Sequence, residues 1–142
     1  MKKIGISIMF FVFLLSCKDD YIDGNTYLPN VNVNFSVNLL LPEGSDLLVS
    51  GYKEFYGLGK GIKGVIIFFD GLNYTAFDLA CPHMPIQDCS TMTFSQTDLF
   101  MNCPCDGEEF SKIDGSPRNP EIRQAARAYL VTKNGNTLYV RN

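Results

Sequence analysis

From Val31 the chain alternates, with Val31, Val33, Phe35, Val37 and Leu39 apolar and Asn32, Asn34, Ser36 and Asn38 polar between them. Successive side chains of a strand point to opposite faces, so this stretch predicts a half-buried strand with one dry stripe and one amide face. Val65 to Phe69 is a short run of branched and aromatic residues. Asp70-Gly71-Leu72-Asn73 then supplies turn chemistry and Tyr74 to Phe77 resumes the apolar pattern, which predicts a hairpin leading straight into Cys81. Near the end, Ala128 to Val131, the Asn134-Gly135 turn and Thr137 to Val140 predict a second hairpin.

No long segment carries a helical period. Short strands separated by Gly and Pro predict an all-β domain, a small antiparallel sandwich or barrel. The glycines of Gly57-Leu58-Gly59-Lys60-Gly61 lack the preceding strand and following helix that a phosphate loop needs, so they are expected to form a flexible β connection.

The first residues follow another pattern. Lys2 and Lys3 precede an apolar run, Ile4 to Leu15, that is too short to span a bilayer and reads as an export signal. It ends in Leu14-Leu15-Ser16-Cys17, which resembles the lipobox of bacterial lipoproteins, where the cysteine is acylated and becomes the new N-terminus. On this reading residues 1–16 are a lipoprotein signal peptide, Cys17 is the lipidation site and 17–30 are an anchor and tether. The folded domain is 31–142, with 31–62 an N-terminal sheet extension and 63–140 the core. Lys18-Asp19-Asp20 resembles the acidic signals of surface lipoproteins in Bacteroidetes. The expected location is the cell envelope, anchored at the outer membrane.

Cleavage before Cys17 leaves 126 of the 142 residues, enough for one domain with a core. It also removes two lysines, which moves the formal charge from −3 to −5 and sets nucleic acid aside as a partner.

Four further cysteines remain: Cys81, Cys89, Cys103 and Cys105. In an exported chain an even number first predicts two disulfides, in any of three pairings. The alternative is a metal centre. Cys81-Pro82-His83 offers a thiolate and the chain's only imidazole, and Cys103-Pro104-Cys105-Asp106 offers a thiolate and a carboxylate three positions apart. Two such loops facing one another supply four donors, for a cluster or for a single zinc or iron ion.

The spacing resembles the Rieske family, whose C-x-H and C-x-x-H loops hold a [2Fe–2S] cluster between two cysteines and two histidines. The resemblance covers Lys63 to Val140. Gly64 to His83 resembles the strand pair that enters the first loop, and Asp114 to Pro120 lies where a proline-bearing loop covers the cluster. The resemblance implies metal ligands Cys81, His83, Cys103 and Asp106, and a loop-to-loop disulfide between Cys89 and Cys105. Asp106 stands where the family has its second histidine. A carboxylate there adds negative charge and implies a potential below that of a two-histidine centre.

The expected function is therefore that of an electron-transfer lipoprotein that catalyses nothing alone and exchanges electrons with a redox partner in the envelope through His83. Phe110 and Pro117 are expected to keep water from the cluster. The alternative is a cluster-free fold in which Cys81 and Cys103 form a second disulfide and the protein binds an envelope partner or a glycan, with Tyr52, Phe55 and Tyr56 as candidate contacts.

Overall fold

The computed structural model describes residues 27–142, so the export signal and Cys17 lie outside the described residues. Eight strands form: β1 Asn34–Asn38, β2 Gly51–Phe55, β3 Val65–Phe69, β4 Tyr74–Asp78, β5 Phe100–Asn102, β6 Glu109–Ser111, β7 Ala128–Asn134 and β8 Thr137–Arg141, with one 3-10 turn at Ser45–Leu47. Six of them make one antiparallel sheet in the order β1-β8-β7-β4-β3-β2; β5 pairs with β6 and, through Asn102, bridges to Thr93. The sheet curls into a half-barrel, and the β5–β6 hairpin packs Met101 and Phe110 into a core cluster with Ile66, Phe68 and Phe77.

The apolar runs decide which strands lie inside. β3 reads VIIFF because it is covered on both faces, as continuous hydrophobic strands are. Val65 and Ile67 face a cluster with Val33, Val37, Leu39, Leu47, Leu138 and Val140. Ile66 and Phe68 face a second cluster with Phe77, Leu79, Met92, Met101, Phe110 and the sulfurs of Cys81 and Cys103. Both hairpins expected from the sequence are present, with Phe69 opposite Tyr74 and Asn134 opposite Thr137. The alternating stretch forms β1 on the sheet edge, pairing Asn34 with Arg141 and Asn38 with Thr137.

One buried carboxylate ties three connections together. Asp78 is 0% exposed and accepts hydrogen bonds from the Ile62 N–H at 2.6 Å, the Ala80 N–H at 2.8 Å and the Tyr129 hydroxyl at 2.7 Å. Burial first, and then the Asp78 charge, push the Tyr129 phenol far up, so it stays a donor. The glycine-rich connection, the entry to the first cysteine loop and β7 are thereby fixed to one another. The Arg127 guanidinium, next to β7, donates to the carbonyls of Leu28 and Pro29, and Leu28 is buried. β4 runs from the turn at Tyr74 towards Asp78 and on to Cys81, so the first cysteine loop lies at the Asp78 end, and the Cys81–Cys103 bond brings the second beside it.

Candidate metal centre

The first loop leaves β4 through Leu79 and Ala80. It is held against its own return by the Cys81 N–H to the Ser90 carbonyl at 2.9 Å and the Met92 N–H to the Leu79 carbonyl at 2.6 Å. The second loop is the turn of the β5–β6 hairpin. Its Cys103 N–H donates to the Glu108 carbonyl and the Gly107 N–H donates to the Cys103 carbonyl, each at 2.8 Å. Gly107 has φ of +81°, a conformation that L side chains rarely adopt. The turn therefore needs this glycine to bring Asp106 up beside Cys103. A third segment lies over the hairpin: Phe110 bridges to Pro117, the Arg118 N–H donates to the Glu109 carbonyl at 2.8 Å, and Asn119 Nδ2 reaches Glu108 Oε1 at 3.0 Å.

These segments bring the expected residues to one place. Cys81 and Cys103 are both 0% exposed and joined by a disulfide, with their Cα atoms 5.8 Å apart. A second disulfide joins Cys89 to Cys105, with Cα atoms 5.1 Å apart and Cys89 in solvent. The two bonds interlace along the chain, 81 to 103 and 89 to 105.

Above the inner bond, His83 Nε2 and Asp106 Oδ2 are 2.6 Å apart, and the imidazole lies over Phe110 with ring centroids 5.4 Å apart. His83 Nδ1 is buried and makes no hydrogen bond. Burial pushes the Asp106 carboxyl up, but the His83 hydrogen bond and the Glu108 N–H at 3.1 Å outweigh it and hold the group below the ordinary carboxylate range. His83 is only 11% exposed in its side chain, so the pair is a partly buried couple and not a free surface contact. Sequence reasoning missed two participants: Met84, whose sulfur lies 3.9 Å from Cys103 Sγ, and Gln87, whose amide is 3.5 Å from Cys105 Sγ.

Donor atoms of His83, Cys103 and Asp106 lie within 4.8 Å of one another. Proximity alone does not make them a ligand set. A [2Fe–2S] cluster of the Rieske kind takes two thiolates and two imidazoles. Here the two inner sulfurs are bonded to each other, the chain has one histidine, and the carboxylate in the fourth place is spent on that histidine. The residues as arranged do not fit the cluster.

No family model matches the chain, and no curated protein does. Solved structures do resemble it. The plasma membrane Rieske protein PetC3 from Synechocystis PCC 6803 superposes with a TM-score of 0.53 at 20% identity, over 80% of this chain and 100% of that one. The ferredoxin of carbazole 1,9a-dioxygenase from Nocardioides aromaticivorans IC177 gives a TM-score of 0.50 at 22% identity, over 78% and 97%. A chain of the complex of reduced oxygenase and oxidized ferredoxin in carbazole 1,9a-dioxygenase gives 0.52 at 18%, over 77% and 93%. At these identities the likeness is one of fold, and the chain has a Rieske-like fold.

Proposed function

We propose that this chain is an envelope protein that uses the Rieske-like fold without its cluster, as a disulfide-closed interaction module. The observation that carries the reading is the Cys81–Cys103 bond. In the resembling family the cluster bridges the two loops; here a covalent bond between the same two positions does so, fully buried beneath His83 and Phe110. With Cys89–Cys105 it gives the loop end two staples, and the hydrogen-bonded His83–Asp106 couple closes the tip. An exported, lipid-anchored protein at the outer membrane would meet the oxidising conditions that keep both bonds formed. The rigid tip, with Pro85, Ile86 and Pro104 beside the couple, is the surface offered to a protein partner.

One observation favours a second reading, electron transfer by a [2Fe–2S] centre with the ligand set Cys81, His83, Cys103 and Asp106. The buried Nδ1 of His83 has no hydrogen-bond partner, and an unpaired buried nitrogen costs about 1–3 kcal/mol unless something binds it. On that reading the disulfide is the oxidised, metal-free state of the loops, and the centre would exchange single electrons with an envelope partner.

One preparation separates the two. The full chain is purified without oxygen from a host that assembles iron–sulfur clusters, and iron, acid-labile sulfide and thiols are measured before and after reduction. The cluster-free reading expects no stoichiometric iron, and thiols of Cys81, Cys89, Cys103 and Cys105 that appear only on reduction. Two irons and two sulfides per chain, lost in Cys81→Ser, overturn it in favour of the second reading.

A further inference from the structure

At the opposite end of β3 and β4 from the cysteine loops lies a cavity of about 390 Å³ that the site above does not use. This is within the range of small-molecule pockets, about 300–1,000 Å³. Its floor is aromatic. The Phe94 ring meets Tyr52 edge-on at 4.8 Å between centroids and Phe68 edge-on at 4.7 Å, which leaves a preorganised apolar surface.

Two opposite charges line the same cavity without neutralising each other. Asp70 Oδ1 takes the N–H groups of Leu72 and Asn73 at 2.8 and 2.7 Å, and the carboxylate stays exposed at the cavity rim. Lys112 Nζ lies 5.5 Å from the Phe94 ring centre and spends one hydrogen bond, 3.2 Å, on the Asp98 carbonyl. An ammonium has three donors, so two remain. The Thr75 hydroxyl, bonded to the Lys112 carbonyl at 3.1 Å, fixes the Lys112 backbone beside β4. Neither ion has a salt-bridge partner among the described residues.

We propose that this cavity binds a small zwitterion with a planar apolar side chain, of the class of free aromatic amino acids. The ring lies against the half-buried Phe94 and Tyr52, the ammonium meets Asp70 and the carboxylate meets Lys112. The site stands apart from the cysteine loops and does not depend on whether they carry a cluster. Its charges are at the rim, where exposed ion pairs contribute little, so each is expected to change affinity about threefold to fivefold.

The chain has no tryptophan, so L-tryptophan is a probe whose own fluorescence reports binding. Titrating the full chain into L-tryptophan, tryptamine, indole-3-propionate and indole gives the test. Tryptophan is expected to saturate and to bind more tightly than any of the other three. Lys112→Gln should weaken tryptophan and leave tryptamine unchanged. Asp70→Asn, which keeps the turn acceptor, should weaken tryptophan and leave indole-3-propionate unchanged. Equal binding of indole and tryptophan, no saturation, or saturation by a methyl glycoside in place of tryptophan overturns the proposal. An unchanged urea midpoint shows that both variants fold.

Discussion

Replacing both inner cysteines, Cys81→Ala with Cys103→Ala, tests how much of the domain's stability rests on the bond found where a cluster would bridge the loops. Taken alone, the bond closes 22 residues, and the chain-entropy relation gives it about 3.4 kcal/mol at 25 °C. Cys89–Cys105 is present as well, and it shortens the loop that the inner bond closes. From Cys81 to Cys89 is eight residues and from Cys105 back to Cys103 is two, an effective loop of about ten, for which the same relation gives about 2.7 kcal/mol. The expected loss is therefore about 2.7 kcal/mol in the double variant and about 3.4 kcal/mol when the outer pair has already been removed. Alanine strands no hydroxyl, but removing two fully buried sulfurs from the core adds a cavity cost, so the measured loss should be no smaller than these values. Urea unfolding of the non-reduced proteins reads the difference through the midpoint at constant slope. An unchanged midpoint, with mass analysis showing the wild type to carry two more free thiols than expected, would refute the reasoning.

Tyr129→Phe removes one donor from the buried Asp78 carboxylate and is expected to cost about 1.5–3 kcal/mol, with Asp78→Ala costing more because it strands four donors, the N–H groups of Ile62, Lys63 and Ala80 and the Tyr129 hydroxyl; thermal unfolding checks both. Gly115 has φ of +75°, and a Cβ there would meet the Phe77 ring at 2.8 Å, so Gly115→Ala should lose at least the 1–2 kcal/mol of the left-handed backbone, read by urea unfolding. Asp114 is held below the usual carboxylate range by the Ser116 N–H and hydroxyl. A depressed folded pKa contributes stability above the unfolded value, near 4, and that stability is lost as the pH falls through the folded value. The drop in urea midpoint between pH 7 and pH 3 should accordingly be smaller in Asp114→Ala than in wild type.

Where the physics was local, the sequence was informative. Asn134-Gly135 and Asp70-Gly71 define their turns by themselves, and VIIFF has the unbroken apolar character of a strand covered on both faces. The alternating stretch from Val31 gave the strand and its buried side, though only Asn34–Asn38 pairs. β2, Gly51–Phe55, was hidden because Tyr52, Lys53 and Glu54 on this edge are all half-buried and carry no clean period. β5 and β6 have three residues each, too few to show one.

At the candidate site, spacing and resemblance brought the two loops together and named every cysteine, and the structure joins Cys89 to Cys105. Composition left three pairings open, and which atoms His83 and Asp106 would turn toward is set by packing on Phe110, which no local pattern encodes. Phe94 and Tyr52 are 42 positions apart in the chain and meet only through the fold, so the cavity they floor had no signature.

The interlaced bonds have a consequence for proteolysis. The longest exposed run between the two loops, Ser95 to Leu99, is where a protease is expected to cut first. Cys81 and Cys89 lie before such a cut, and Cys103 and Cys105 lie after it. Both bonds cross the nick, so the two pieces stay one molecule and separate only on a reducing gel, where an intact chain would run whole.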